Sequence, residues 1–195
     1  ANEPASRPAV ASRPTVTALE APVEIGGVTV PNRLYRAPVL ECAGTGDEAA
    51  VDALVDELEP TAESGVGLVF QGASVVTETG GFAAPNMTRM HDPEFVARLE
   101  RLTDAVHAHE GKIFVQLAHG GLRSLSLWHG EYRERYPDRR QLAVSRPPRA
   151  LRLLDRAGIL SLKPHVLSTG EVYDLAEKFG RSAGYAVDAG YDGIH

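Results

Sequence analysis

VGLVFQGASVV (residues 66–76), DPEFVARLERLTDAVHAHEG (92–111) and KIFVQLAHGG (112–121) follow one another along the 195-residue chain. The first and third stretches are nearly continuous apolar runs, which is the pattern of strands covered on both faces. The middle stretch predicts a helix, because Asp92 can cap its start and Gly111 can end it. A strand, a helix and a second strand in this order predict parallel strands joined by a right-handed crossover.

The segments upstream extend this pattern. VEIGGVTV contains two short β-prone runs around Gly26-Gly27 and predicts a β-hairpin. RLYRAPVL (33–40) is short and apolar and predicts a strand, whereas residues 48–64 have the apolar spacing of a helix. Pro60 should kink that helix or end its first section. Residues 1–18, rich in Pro, Ala, Ser and Arg, lack periodicity and are interpreted as a flexible tail.

The segments downstream are a long connection, a helix and a strand. Residues 122–167 show no clean periodicity apart from a short helix predicted at 149–156. Connections of that length are often functional. Its aromatic residues include Trp128, Tyr132 and Tyr136. They are interpreted either as lining the opening of a substrate site or as part of a solvated surface insertion. STGEVYDLAEKFGRSAGYAVDAG (168–190) predicts a helix capped at Ser168 or Thr169, and YDGIH begins another strand.

The alternation of strands and helices after a hairpin leaves two architectures, an open doubly wound sheet and a (β/α)8 barrel. No G-x-G-x-x-G motif follows the first strand, which weakens the dinucleotide-binding form of the open sheet. The hairpin suits a plug under a barrel. We therefore expect an α/β fold, the first half of a (β/α)8 TIM barrel with an N-terminal β-hairpin, over residues 19–195. We expect the barrel to be incomplete as given, because the sequence stops at the start of a fourth strand.

Composition and charge argue against several classes of protein. The chain has 43% hydrophobic and 24% charged residues and a net charge of −6, which is ordinary for a globular domain and unlike a nucleic-acid-binding surface. No apolar run approaches the roughly 20 residues that span a bilayer. Cys42, the single cysteine, leaves no internal disulfide and no multi-cysteine metal site. We expect a cytoplasmic protein without nucleic-acid, membrane or metal partners, with a homo-oligomer left open.

Candidate functional residues lie where strands end, since the active groups of parallel α/β folds sit at the carboxyl ends of strands. Gly72, Ala73 and Ser74 would let a flat ligand approach the backbone, although small residues there more often serve packing. Gln116 lies within an apolar run and is expected to be a buried amide that needs partners, in a site or in the core. His119, beside a glycine turn, is interpreted as a capping residue.

Three other polar side chains have structural interpretations. His107 and His109 lie late in a predicted helix, where a cation complements the helix dipole. Cys42 is more often an inert small residue than a nucleophile in such a position.

Four collinear stretches carry a family resemblance that no single motif carries: EIGGVTVPNRLYRAPVLE, GVGLVFQGASVVTETG, LTDAVHAHEGKIFVQLAHGG and STGEVYDLAEKFGRSAGYAVDAGYDGI. They run in order through the chain, interrupted only by the 122–167 connection. The most specific pieces are PNRLYRAPVL, VQLAHGG and AGYDGI. Together they resemble the old yellow enzyme family of NADH:flavin oxidoreductases and FMN-dependent ene-reductases.

The resemblance implies a set of residues that contact FMN. In that family the end of the first strand packs on the flavin ring, the alanine ending the second strand contacts it, and the glutamine of the third strand hydrogen-bonds its pyrimidine edge. Carried over to this chain, these residues are Ala37, Pro38, Val39, Leu40, Ala73 and Gln116. Leu40 stands where many relatives have Cys or Thr, and it cannot donate the hydrogen bond that tunes the flavin there.

The resemblance also implies an activity, in which NAD(P)H reduces the flavin and the flavin passes hydride to an activated alkene of a small-molecule substrate. The catalytic His-x-x-His or His-x-x-Asn pair is expected beyond residue 195, and His195 falls two residues before it. The fragment itself is therefore expected to be inactive. The alternatives are the flavin barrel of a multidomain dienoyl reductase or amine dehydrogenase, a non-catalytic half-barrel that self-associates, and an α/β protein that binds no flavin.

Overall fold

The computed structural model describes residues 17–44, 46–78, 80–124, 141–159 and 164–195. The predicted tail lies outside these residues except for Thr17 and Ala18, which begin a short helix. The elements in chain order are α1 (Thr17–Glu20), β1 (Val23–Ile25), β2 (Val28–Val30), β3 (Tyr35–Val39), α2 (Asp47–Glu63), β4 (Leu68–Val75), α3 (Pro93–Arg98), α4 (Glu100–His107), β5 (Lys112–Ala118), β6 (Gln141–Ala143), α5 (Arg149–Arg156), β7 (Pro164–Val166), α6 (Thr169–Asp188) and β8 (Gly193–Ile194).

Strands β3, β4, β5 and β8 form a parallel sheet in which each strand lies beside the next one in this order. Leu68 at the start of β4 pairs with Tyr35 of β3 and with Lys112 of β5, and Phe114 of β5 pairs with Gly193 of β8. This successive order is that of a barrel, whereas a doubly wound sheet grows in both directions from its first strand. The predicted parallel α/β fold is therefore confirmed.

The two faces of this sheet are covered differently. Val69, Ile113 and Val115 are each 0% exposed and pack against the helices, in one hydrophobic core. The opposite face carries aromatic side chains, among them Tyr35, which is 64% exposed. Because side chains alternate between the faces of a strand, one set builds the helical layer and the other faces the concave side.

The predicted β-hairpin is confirmed. Strands β1 and β2 pair in antiparallel fashion, with Val23 opposite Val30, and the turn residues Gly26-Gly27 both have positive φ, at 58° and 85°. Val30 is 1% exposed and forms a small cluster with Leu68 and Phe114 of the main sheet. The hairpin therefore covers the end of the sheet where β4 begins, as a plug would.

Helix α2 runs through Pro60, so the prediction that this residue could end the first section of the helix is wrong. Proline lacks the N–H that would bind the Asp56 carbonyl, which weakens a helix interior. Buried side chains hold the helix on both sides of this point, since Leu58 is 0% and Ala62 is 1% exposed. Burial against the sheet offsets the missing hydrogen bond.

Residues 92–111 form two helices where the sequence predicts one. Asp92 caps α3 as expected, because its carboxylate accepts a hydrogen bond from the Phe95 N–H at 3.2 Å. The interruption falls at Leu99, which ends α3, precedes α4 and is 0% exposed in the core. Leu99 packs in the same core as the helices on either side of it, so the apolar periodicity continues across the break and does not reveal it.

The end of α4 differs from the prediction that Gly111 stops the helix. Glu110 takes the left-handed conformation, with φ of 60°, and its N–H donates to the His107 carbonyl at 2.9 Å. Gly111 instead permits close packing, because a Cβ there would lie 3.2 Å from a methyl group of Val106. Gly111 therefore lets the backbone lie close to Val106, while Glu110 provides the turn that ends the helical segment.

The 122–167 connection contains paired strands that its sequence did not predict. Strands β6 and β7 are parallel, with Gln141 opposite Pro164 and Ala143 opposite Val166. The helix predicted at 149–156 is confirmed as α5. Strands of three residues are too short to show a periodicity, which is why the sequence missed them. The aromatic residues proposed for a substrate mouth, Trp128, Tyr132 and Tyr136, lie outside the described residues.

Helix α6 begins at the predicted cap. The Ser168 hydroxyl accepts the Glu171 N–H at 3.3 Å, and the Glu171 carboxylate accepts the Ser168 N–H at 2.7 Å. These reciprocal bonds are a capping box, and Ser168 rather than Thr169 occupies the cap position. Neither α6 nor any other described helix is long and apolar enough to cross a membrane.

Candidate functional site

The end of β3 contains a β-bulge against β4. Arg36 pairs with Val69, and Val39 pairs with Gln71. The chain therefore advances three residues on β3 for two residues on β4, which places one extra residue between Arg36 and Val39. Bulges re-aim side chains and are common beside active sites. The bulged segment contains Ala37 and Pro38, the first two residues that the family resemblance assigns to the flavin.

The end of β4 contains a second bulge, against β5. Gln71 pairs with Val115, and Ser74 pairs with Leu117, so that the extra residue now lies at positions 72–73 of β4. Ala73, which the family resemblance assigns to the flavin as the alanine ending the second strand, is therefore also in a bulge. The two irregularities lie side by side at the carboxyl ends of adjacent strands, where parallel α/β folds place their active groups.

The predicted flavin contacts of β3 and β4 lie together at these strand ends. Val39 is 56% and Leu40 36% exposed, Ala37 is exposed, and Pro38 and Ala73 are half-buried. Large apolar side chains are seldom left exposed next to one another unless something covers them. These five residues lie at the bulged carboxyl ends of two adjacent strands, and each is at least partly accessible.

Gln116 is half-buried, and the prediction that it is a buried amide is wrong. Its side-chain nitrogen lies 3.1 Å from Nδ1 of His195. The His195 ring in turn packs edge-on against Phe70, with 5.4 Å between the ring centroids. Gln116 lies on the concave side of the sheet, because its side chain points away from the helical core, and an accessible amide there can bind a ligand edge that carries both a carbonyl and an N–H.

The fully buried amide of the sheet is Gln71, which the sequence analysis did not single out. Its nitrogen donates to the Ser74 hydroxyl at 3.0 Å, and its oxygen accepts a hydrogen bond from the Tyr191 hydroxyl. Burial, with a smaller contribution from the charge of Glu41, raises the pKa of Tyr191 above its usual range. Gln71 interrupts an apolar run just as Gln116 does. The sequence therefore showed that each strand contains an amide, but not which amide faces the buried side of the sheet.

Aromatic side chains line the concave side of the sheet below the strand ends. Tyr35 contacts Phe70 at 6.1 Å between centroids, and Phe70 contacts Phe114 at 5.6 Å, both edge to face. These are favourable geometries for aromatic pairs. These three rings and His195 form a row of aromatic contacts on the concave side of the sheet. No single motif of the sequence predicted it.

His119 has the capping role that the sequence suggested. Its Nδ1 accepts the Gly121 N–H at 3.2 Å, while its Nε2 is buried with no hydrogen-bond partner in the part of the chain that the structure describes. Burial and the nearby charge of Lys178 lower the pKa of His119. Its Nδ1 serves as a local acceptor for the backbone of the glycine turn.

The two histidines that the sequence placed late in a helix each lie beside a carboxylate, although α4 ends at His107 and His109 follows it. His107 Nε2 lies 2.7 Å from the Asp192 carboxylate, and His109 Nε2 lies 3.4 Å from Glu59. Cys42 is half-buried, and burial, with the neighbouring Glu41, raises the pKa of its thiol. A protonated thiol is a poor nucleophile. Among the described residues no group of three His, Cys, Asp or Glu side chains could hold a metal ion.

A cavity of about 180 Å³ lies between the chain that follows β4 and helix α6. Its lining includes the side chains of Lys178, Arg181 and Tyr185, with Glu78 as its acidic member. Two cations against one anion favour a molecule that carries a negative group. The cavity is separate from the apolar surface formed by the two strand ends.

Comparison with known proteins identifies the family. A sequence model described as the NADH:flavin oxidoreductase / NADH oxidase family matches residues 18–195. The chain is 28% identical over 168 residues to "Probable NADH-dependent flavin oxidoreductase YqiG" of Bacillus subtilis (strain 168). The aligned residues are 86% of this chain and 40% of that protein. It is 32% identical over 114 residues to "N,N-dimethylglycine/sarcosine dehydrogenase" of Chromohalobacter salexigens, over 58% of the chain and 16% of that protein.

The fold is that of solved members of the old yellow enzyme group. The crystal structure of old yellow enzyme from Pichia sp. AKU4542 superimposes with a TM-score of 0.76 at 19% identity, over 91% of this chain and 45% of that one. The chain thus spans less than half the length of these relatives, and its parallel sheet and hairpin match part of their TIM barrel. The old yellow enzyme resemblance of the sequence is confirmed: the chain belongs to the NADH:flavin oxidoreductase / NADH oxidase family.

Proposed function

We propose that the full-length protein is an FMN-dependent oxidoreductase that uses NAD(P)H to reduce the activated double bond of a small carbonyl compound. The observation that carries this proposal is the pair of adjacent bulges at the ends of β3 and β4. They gather small and apolar side chains that are accessible at the end of a sheet belonging to a flavin oxidoreductase family.

The side chains present fit a flavin. Ala37, Pro38, Val39 and Leu40 offer an apolar surface for one face of the ring, and Ala73 leaves room for its edge. Gln116 would hold the pyrimidine edge, because an amide both donates and accepts hydrogen bonds. When bound, the reduced flavin supplies the hydride, and the chain's part is to hold and orient the ring and to keep water from it.

Leu40 gives this site a property of its own. A hydrocarbon side chain cannot donate a hydrogen bond, whereas Cys or Thr at this position could. Burial of Leu40 under a ligand would remove apolar surface from water and strengthen binding. We therefore expect Leu40 to contribute to affinity for the ring without a polar effect on its electronic properties.

The test is the absorption spectrum of the purified full-length protein during titration with FMN. We expect a bound flavin whose visible band differs from that of free FMN and which NAD(P)H bleaches under anaerobic conditions. Ala37→Trp places a large ring on the exposed end of β3 and should block binding. Ala176→Trp, a matched change at an exposed position of α6, should bind FMN normally. An unmodified protein that binds no FMN would overturn the proposal.

A second candidate, an amine dehydrogenase, is favoured by the 32% identity with N,N-dimethylglycine/sarcosine dehydrogenase. The two candidates differ in what reduces the flavin. Anaerobic addition of N-methylated amines to the holoprotein should leave the flavin oxidised if the first proposal is right. Bleaching by the amine, with no bleaching by NADH or NADPH, would establish the second.

A further inference from the structure

The bulge between β3 and β4 leaves backbone groups that side chains bind. The Phe70 carbonyl accepts a hydrogen bond from Arg36 Nη1 at 3.2 Å. The Gly72 N–H donates to the carboxylate of Glu41, with distances of 2.9 Å to Oε2 and 3.2 Å to Oε1. Pro38 lies within the bulge and has no N–H to offer. Arg36 and Glu41 therefore bind the backbone of β4 where the regular hydrogen bonds between β3 and β4 are interrupted. We call this contact between Arg36, Glu41 and the β4 backbone the seam.

The two side chains also bind each other. Arg36 Nη1 lies 3.0 Å from Glu41 Oε1, and their side chains are only 14% and 4% exposed. The other terminal nitrogen of Arg36 binds Glu57 at 3.0 Å, but that carboxylate is 60% exposed. Burial is the largest influence on Glu41 and raises its pKa, against the lowering effects of Arg36 and the Gly72 N–H. Glu41 and Glu57 thus bind the same guanidinium, one inside the seam and the other outside.

The backbones of β3 and β4 lie too close together at the seam for any side chain on Gly72. A Cβ placed on Gly72 would lie 1.5 Å from the Val39 carbonyl oxygen and 2.8 Å from the Glu41 carboxylate. The backbones of the two bulges are therefore in direct contact. The Glu41 carboxylate, the Gly72 N–H and the Val39 carbonyl therefore lie close together, with no room for a side chain on Gly72.

We propose that Glu41, held by Arg36, is a positioning residue for the flavin. By binding the Gly72 N–H it sets how far the bulge at residues 37–38 stands from the bulge at 72–73, and so fixes the shape of the surface on which the ring lies. This inference rests on the proposed function. Glu41 lies one residue after Leu40 and acts through the backbone, without touching the ring.

A residue that only stabilised the fold would behave differently. Loss of one partner of a buried ion pair is destabilising in general, so a lower melting temperature cannot distinguish the two roles. The affinity and spectrum of the bound flavin can, because they report the shape of the surface at temperatures where all variants are folded.

The experiment compares Glu41→Gln with Glu57→Gln in the full-length holoprotein. Glutamine keeps the volume of Glu41 but has one acceptor oxygen where the carboxylate has two, so Arg36 and the Gly72 N–H must compete for it. We expect the Kd for FMN to rise about tenfold, a loss of about 1.4 kcal/mol, and the visible circular dichroism of the bound flavin to change. Glu57→Gln removes an exposed partner of the same guanidinium and should leave both within twofold.

The outcomes separate this inference from the proposed function. A Glu41→Gln protein with unchanged Kd and unchanged flavin dichroism would overturn the positioning role, even if its melting temperature falls. Absence of FMN from the unmodified protein would overturn the proposed function and the inference with it. If Glu41→Gln does not fold, Glu41→Asp keeps the charge while shortening the side chain; a shifted dichroism supports the role and an unchanged one overturns it.

Discussion

The carbonyl of Val39 occupies the space that a side chain on Gly72 would need, because a Cβ there would lie 1.5 Å from the carbonyl oxygen. Contact of this kind joins β3 to β4 at the level of their bulges. Position 72 therefore requires glycine because the Val39 carbonyl leaves no room for a side chain, and not because of the backbone angles of Gly72.

Gly72→Ala should therefore destabilise the protein. The added methyl group can be accommodated only by separating two backbones, and overpacking of this kind costs about 1–3 kcal/mol or more. Urea denaturation of the unmodified and variant proteins measures the difference. Gly184→Ala is the matched control: nothing lies within 4 Å of a Cβ at this position of α6, so the same change should stabilise by about 0.5–1 kcal/mol. Equal stability of the Gly72→Ala and unmodified proteins would contradict the prediction.

Tyr191→Phe should lower the free energy of unfolding by about 1–3 kcal/mol, because it leaves the oxygen of the buried Gln71 amide without its donor. Tyr191 is 5% exposed and Gln71 0%, so water cannot readily replace the lost hydroxyl. Chemical denaturation gives the value. Tyr173 is 69% exposed, and Tyr173→Phe should change stability by less than about 0.5 kcal/mol. Similar effects from the two substitutions would show that the Tyr191 hydroxyl is not required.

Pro60→Ala should stabilise the protein by about 1–3 kcal/mol, since an interior proline removes one helical hydrogen bond and crowds the preceding turn. The restored N–H at position 60 can bind the Asp56 carbonyl. Position 60 is exposed, so the change disturbs no core packing. Thermal and urea unfolding both report the gain. A loss of stability would mean that α2 depends on the shape that proline imposes.

The contribution of Glu171 to stability should depend on pH in acid solution. Hydrogen bonds from the Ser168 N–H, His165 and the Ser168 hydroxyl lower the pKa of Glu171 to about 2. A carboxylate whose pKa is lower in the folded state stabilises the fold above its unfolded pKa, and this contribution is lost as the pH falls through the folded value. The contribution of Glu171 should therefore fade between about pH 4.5 and pH 2.

The measurement is the melting temperature of the unmodified protein and of Glu171→Gln across this pH range. The two should differ most near pH 7 and converge toward pH 2. Glu177→Gln, at an exposed position of the same helix, should run parallel to the unmodified protein throughout. A difference between Glu171→Gln and the unmodified protein that stays constant with pH would show that the capping hydrogen bonds do not depend on the charge.

Local patterns in the sequence were sufficient for most of the elements. The hairpin around Gly26-Gly27, the cap at Asp92 and the capping box of Ser168 and Glu171 involve residues at most seven apart, so a few neighbouring residues are enough to predict them. Apolar runs and helical spacing predicted the strands and helices of the main sheet for the same reason. Collinear motifs predicted the family, and the comparison confirmed it.

Contacts between distant segments decided the rest. Gln71 and Gln116 both interrupt apolar strands, but the first is buried and accepts a hydrogen bond from Tyr191, 120 residues further on, while the second faces the concave side. The sequence determined the strands of the main sheet and most of the helices, because those signals are local, and it determined the family through four motifs in the right order. Only the tertiary structure decided the paired bulges, the Arg36–Glu41 seam and the contact of Gly72 with Val39, because burial and register are set by whichever strand comes to lie alongside.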